Sequence, residues 1–224
     1  MSAQQPVGAP VALALPRPRP PCAEMLGRFG KLVPTTPDHA ADLHAAFVAD
    51  TGARDWTYLP YGPFESETAF GDWLSATCLG DDPLFHTICA PDGKALGLAS
   101  YLRIDPANGV IEVGHIHFAP TLQRTALATE AMALMMARAF DELGYRRYEW
   151  KCDALNAPSR RAAERLGLTY EGTFRQATVV KGRNRDTAWF SILDHEWPAL
   201  KARMTAWLDP SNFDSAGHQI TSLR

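Results

Sequence analysis

The order of apolar and polar positions along the 224 residues alternates between short runs and longer helical stripes. Phe29 to Pro34 reads as a first strand. Ala40, Leu43, Ala46 and Phe47 then recur at helical spacing, with Thr36 or Asp38 placed to cap the helix. Ser66 to Leu79 repeats the pattern through Phe70, Trp73 and Leu74. Phe85–Ala90, Ala95–Ile104 and Val110–Phe118 are strand-like runs, separated by Pro91-Asp92-Gly93-Lys94 and Asp105-Pro106-Ala107-Asn108-Gly109. Connections that short join antiparallel neighbours. Ala128 to Leu143 carries a buried stripe at Ala128, Met132, Met135, Ala139 and Leu143, with Gly144 just past its end. Tyr145–Asp153 alternates, setting Arg147, Glu149 and Lys151 against Tyr148, Trp150 and Cys152, as a half-exposed strand does. Strand, helix and strand across 110–153 form a crossover, which predicts parallel pairing of the two strands.

After this unit, Asn156–Leu168 is a loop followed by a helix that Gly167 ends. Thr169–Thr178 and Asp186–Leu193 read as strands joined around Lys181-Gly182-Arg183-Asn184, and Trp197–Leu208 as a last helix. Residues 28–208 are therefore expected to form one α/β domain. Residues 1–27 read as a Pro-rich tail, because Pro16-Arg17-Pro18-Arg19-Pro20-Pro21 favours polyproline geometry and cannot pair in a sheet. Residues 209–224 read as a loose polar tail.

Composition narrows the class. Hydrophobic residues make up 46% and charged residues 21%, ordinary values for a globular chain. The net charge of −3 and the lack of a basic run argue against a nucleic-acid partner, while leaving a basic protein substrate open. Cys22, Cys78, Cys89 and Cys152 are widely spaced without a CxxC pair. That speaks against zinc and predicts reduced, buried or half-buried thiols. No apolar run approaches the ~20 residues of a membrane span. Val7–Leu15 is interrupted by Pro10 and lacks a preceding basic segment, so it makes a poor signal peptide. The expectation is a cytoplasmic protein with no membrane partner and no metal.

The stretch with chemistry in it is Leu122–Ala131, between the strand ending at Phe118 and the long helix. The first N–H groups of a helix lack internal partners and carry partial positive charge, which suits a phosphate. Small side chains at Ala126 and Ala128 admit a pyrophosphate, and Arg124 offers a charge-assisted bond. Gln123-x-x-Ala126-x-Ala128 resembles the acetyl-CoA pyrophosphate loop of the GNAT acyltransferase superfamily. Ala126 stands where that family usually has Gly, which is tolerated only if the position avoids positive φ. Ala128-Thr129-Glu130-Ala131 is similar to the branch that includes the ribosomal-protein N-terminal acetyltransferases. Asn156-x-x-Ser159, followed by Glu164-Arg165-x-Gly167-Leu168, resembles the second signature of the superfamily.

The resemblance implies a central mixed, mostly antiparallel sheet, splayed between two parallel strands, with helices on both faces. It implies transfer of the acetyl group of acetyl-CoA to a primary amine, of a protein N-terminus or a small molecule, by direct attack in a ternary complex. A homodimer is compatible with it. The cofactor would lie on Phe118, Ala119, Gln123, Arg124, Thr125, Ala126, Leu127, Ala128 and Thr129, with the thioester oxyanion held by a strand N–H near Phe118 or Ala119. Asn156 would bond the pantetheine arm. Ser159 would lie near the sulfur and protonate the leaving thiolate, or else cap its helix. The aromatic stretch Trp56–Phe64, with Tyr58, Tyr61 and Phe64, together with His115, would wall the acceptor pocket; the alternative is that these rings only cap the core.

Glu112 matches a Glu common in this branch and is the expected general base. Strict alternation places it with Gly114, Ile116 and Phe118, an apolar companion face, unless a bulge near Gly114 flips the later phase. His115 and His117 are the rival bases. Two histidines without a third ligand do not make a metal site. Gln176-Ala177-Thr178 stands where the branch tends to carry an acid, and Gly182-Arg183-Asn184-Arg185-Asp186 matches its hairpin, whose Arg/Asp pair ends near the acceptor opening. Two alternatives stay open: a succinyl-CoA donor, met by Arg54 or Arg103, and a catalytically weak acyl-CoA sensor or scaffold.

Overall fold

A computed structural model describes residues 5–215 and 217–223. In chain order the elements are β1 (Met25–Leu26), β2 (Lys31–Pro34), α1 (Ala40–Phe47), α2 (Glu67–Thr77), β3 (Leu84–Cys89), β4 (Ala95–Asp105), β5 (Val110–Phe118), α3 (Ala126–Ala137), β6 (Arg147–Asp153), α4 (Ala157–Arg165), β7 (Thr169–Val180), β8 (Arg183–Leu193) and α5 (Trp197–Trp207). Among the described residues they build one sheet of order β1-β2-β3-β4-β5-β6-β8-β7. Every pairing is antiparallel except β5 with β6, as the crossover requires.

Apolar side chains fill both faces of the sheet. Ile111, Val113, Tyr148, Trp150 and Phe190 meet α3, α4 and α5 through Met132, Met135, Ala163 and Leu200. On the opposite face Leu43, Phe47, Phe70 and Leu74 of α1 and α2 pack with Trp56 on Phe85 and Leu98. The second layer covers only the β2–β5 half. Across β6, β8 and β7 the same face carries charged side chains instead.

Several boundaries differ from the alternation pattern. α3 begins at Ala126, two residues before the expected start, because Thr125 caps it by accepting a bond from the Ala128 N–H. Its last turn, Arg138–Glu142, widens into a π-turn. β7 runs on to Val180 past a kink at Gln176, where φ is 50° and Asp186 accepts a bond from the Gln176 N–H.

The two terminal segments are attached. Met25–Leu26 pairs with Leu32 and Lys31, and the buried Arg138 donates to the carbonyls of Ala23 and Glu24. Arg17 donates to the Leu143 carbonyl at the end of α3. At the other end Asn212 bonds the backbone of Trp207 and Thr221, and Leu223 is buried in the main core. The bonds of Arg17 and Arg138 join residues more than a hundred apart and those of Asn212 are local, and neither kind shows in the pattern of apolar positions. Cys22 is exposed rather than buried, whereas Cys78, Cys89 and Cys152 are buried, and all are free thiols.

Candidate active site

The site is created where β5 leaves β6. The parallel pairing runs from Val110↔Arg147 to Val113↔Trp150 and stops there. Between the Gly114↔Ser100 and His117↔Leu98 pairs β5 carries one residue more than β4. His115 supplies that bulge, with φ 51°. The extra residue flips the later phase, so the strict alternation is corrected. Ile116 and Phe118 pack on the α3 side. His117 lies on the opposite face, stacked on Phe47 at 3.8 Å between ring centroids, with Trp56 edge-on.

The flip also decides which N–H groups face the cleft. Ala119 donates to the Leu96 carbonyl of β4. In an antiparallel ladder adjacent residues point their N–H groups to opposite sides. The Phe118 N–H therefore points away from β4, into the space that β6 vacates. The Ala119 N–H is thus taken by β4, while that of Phe118 meets no acceptor on β4.

The phosphate-loop candidates follow directly. Leu122 and Gln123 fold back onto the Ala119 carbonyl. Gly97 leaves the room for Leu122 to seat, since a Cβ there would come within 2.7 Å of the Leu122 side chain. The positive φ of the loop falls on Arg124, at 63°, not on Ala126. Ala126 is the first helical residue, and Ala therefore serves there without strain. The N–H groups of Arg124, Ala126 and Leu127 bond none of the described residues, and the Arg124 side chain is exposed. Ala128 and Thr129 have theirs directed to Thr125, and the Thr129 hydroxyl accepts from Arg165. Gln123 spends its side-chain amide on the Phe118 carbonyl and on Asp55.

Across the cleft Asn156 caps α4, accepting a bond from the Ser159 N–H at 3.1 Å. Asn156, not Ser159, is thus the helix cap. Its Nδ2 donates to none of the described residues. The Ser159 hydroxyl accepts from the Trp150 indole at 3.0 Å and lies beside the Cys152 thiol, whose pKa burial raises.

The aromatic stretch crosses the mouth of the cleft. Tyr58 donates to the Leu155 carbonyl at 3.1 Å, and Lys181 in the β7–β8 turn donates to the Trp56 carbonyl at 2.8 Å. Trp56 and Phe64 do belong to the second core. Tyr61 does more: its hydroxyl bonds His115 Nδ1 at 3.1 Å and the two rings stack. Burial, helped by Arg103 and Arg185, pushes the His115 pKa down to about 4. Burial pushes that of His117 down to about 3. Both rings are neutral near pH 7.

Glu112 has ionic companions instead of apolar ones. Its oxygens receive Arg103 Nε and Nη2 and Lys151 Nζ, each at 2.7 Å. Lys151 also pairs with Glu149, Glu149 with Arg147, and Arg147 with Glu171. The residues of this ladder come from β4, β5, β6 and β7, all on the sheet face opposite α3, and from β6 onward no described helix covers that face. Half of it was visible in the alternation of Arg147, Glu149 and Lys151; the partners on β4 and β7 were not. Arg185 and Trp189 of β8 face the same side. Among the described residues no cluster of His, Cys, Asp or Glu could hold a metal ion, and no helix is long and apolar enough to cross a membrane.

Comparison with known proteins agrees with this geometry. The acetyltransferase (GNAT) domain family matches residues 31–169. A GCN5-related N-acetyltransferase of Brucella melitensis is 49% identical, with a TM-score of 0.92 over 95% of this chain and 97% of that one. A GNAT-family structure from Chromobacterium violaceum is 45% identical, with a TM-score of 0.80 over 88% of this chain and all of that one. YdaF of Bacillus subtilis, provisionally named a ribosomal N-acetyltransferase, is 30% identical over 110 residues, 49% of this chain and 60% of that protein. Since the match to the GNAT domain family spans more than half of the chain, the chain belongs to the GNAT family of acetyltransferases.

Proposed function

We propose that the chain transfers the acetyl group of acetyl-CoA to a primary amine by direct attack in a ternary complex. The observation that carries this reading is the parting of β5 from β6 at Val113↔Trp150, with an anion-ready loop at one end and the His115–Tyr61 pair at the other. The N–H groups of Arg124, Ala126 and Leu127 hold the pyrophosphate, and Arg124 adds its charge. Asn156 Nδ2 bonds the pantetheine arm. The Phe118 N–H polarises the thioester carbonyl and receives the developing oxyanion.

The amine nitrogen forms a bond to the acyl carbon and the carbon–sulfur bond breaks. As the bond to carbon forms the nitrogen becomes strongly acidic, and His115 takes its proton through the Nε2 that bonds none of the described residues and passes it to solvent. The Ser159 hydroxyl, made a better donor by the Trp150 indole on its oxygen, protonates the thiolate, and solvent restores it. Glu112 has three donors on its two oxygens and serves to hold Arg103 and Lys151. This moves the base from Glu112 to His115. Arg103, one of the two arginines a succinyl donor could use, is engaged with Glu112, which leaves Arg54 for that role. Calorimetry with CoA tests the donor half: Ala126→Glu should abolish binding by setting bulk and charge against the pyrophosphate, and unchanged affinity would remove the loop assignment.

A further inference from the structure

The ionic ladder beside the cleft is balanced. Arg103, Lys151 and Arg147 stand against Glu112, Glu149 and Glu171, each cation in contact with a carboxylate. Arg185 is left over. It makes no ion pair among the described residues, and its Nε is buried without an acceptor. The neighbouring carboxylates are committed elsewhere: Asp186 receives Gln176 N–H and Asn184, and Asp153 receives Leu155 N–H.

Trp189 lies four residues along β8, so by strand alternation it shares the face of Arg185. Its indole N–H, which can only donate, is also buried without an acceptor, while its ring packs on Lys151 Nζ at 3.7 Å. Two buried donors without acceptors, one of them charged, are a standing demand for an anion. The demand is local to the acceptor mouth. Arg185 is close enough to His115 to disfavour its protonation, and the turn that carries β8 is fastened to the acceptor loop through Lys181 and Trp56.

We propose that Arg185 and Trp189 form an anion subsite for the acceptor, so that the amine acetylated here carries an oxyanion, carboxylate or phosphate, at its far end. The inference rests on the amine-transfer reading above. The arginine fork suits a planar carboxylate or a phosphate through two parallel bonds. An amine without an anion leaves both donors unpaired in the ternary complex, and a lost partner for a buried polar group discriminates strongly between otherwise similar substrates.

Matched acceptors test this. L-alanyl-L-alanine is compared with its amide, and phosphoethanolamine with ethanolamine, by the rate of CoA thiol release. The anionic member of at least one pair should show kcat/KM at least about tenfold higher. The pair that shows it tells carboxylate from phosphate. In Arg185→Gln the ratio should collapse towards one, and in Arg185→Lys, which keeps charge but loses the fork, part of it should return. A ratio near one in the unmodified protein, or one retained in Arg185→Gln, overturns the subsite. Calorimetry of N-acetyl-L-alanyl-L-alanine and O-phosphoryl-N-acetylethanolamine against their uncharged counterparts, on protein saturated with CoA, needs no turnover. If no amine of either kind reacts, the transfer reading fails and this discrimination still decides the subsite: tighter binding of an anion that Arg185→Gln removes supports it, and equal binding sinks it.

Discussion

Glu112 and His115 lie three residues apart on β5, yet their surroundings assign them different work. Glu112 is 3% exposed at its side chain and meets two cations, so a neutral side chain there strands Arg103 and Lys151. Glu112→Gln should therefore lower the melting temperature by several degrees and leave the acid limb of kcat/KM in place. If Glu112 is instead the base, that limb disappears and the rate falls about a hundredfold. His115→Gln should lower kcat by roughly ten- to a hundredfold, while affinity for CoA stays within about twofold. Ser159→Ala should lower kcat on the order of tenfold with CoA affinity kept. It should also lower the melting temperature, because the buried Trp150 indole N–H loses its acceptor, although Asn156 keeps the cap of α4. A lower melting temperature with unchanged kcat would return Ser159 to a structural role.

At the scale of elements, the loop-to-helix junction before α3 is a rigid device. Thr125 holds the first turn by accepting the Ala128 N–H and donating to the Leu122 carbonyl. Arg124 bears the αL conformation, which costs a non-glycine residue roughly 1 kcal/mol. Replacing Thr125 by Val removes the cap, worth about 1 kcal/mol, and frees the loop. The expected result is weaker CoA binding with a melting temperature lower by about 2–4 °C, read by calorimetry and thermal unfolding side by side. Arg124→Gly should be neutral or mildly stabilising for the fold but weaken CoA binding through the lost charge. This junction was legible in the residues: small side chains, a capping Thr and a strand-to-helix change of period stand in one stretch. The bulge at His115 was legible only as a condition, since one extra residue on β5 is defined by its partner strand β4.

For the whole molecule, buried histidines make acid the weak side. Burial lowers the pKa of His86 and His115 to about 4 and of His117 to about 3, from 6.5. Between roughly pH 6.5 and 4 the unfolded chain then binds protons that the folded chain refuses. Stability should stay flat above that window on account of these groups and fall as the pH drops through it. A series of melting temperatures from pH 7.5 to 4.5 checks the sign. His117→Phe, which keeps the stack on Phe47, should flatten the slope. A slope unchanged in that variant would show that His117 does not contribute.

The sequence by itself determined the elements from β2 to α5, the order of the strands around the crossover and the two stretches that resemble cofactor signatures. These depend on local period, turn chemistry and capping, all carried by residues near one another in the chain. It also placed Arg147, Glu149 and Lys151 on one face of β6. Tertiary structure alone decided what those charges meet. The register of β4 against β5 brings Arg103 to Glu112, and the pairing of β8 with β6 brings Trp189 to Lys151. It decided that the Phe118 N–H and not that of Ala119 points away from β4, and that Arg185 makes no ion pair among the described residues. Each is a fact about two or more strands at once, and neither period nor composition encodes the distance between side chains that only folding makes neighbours.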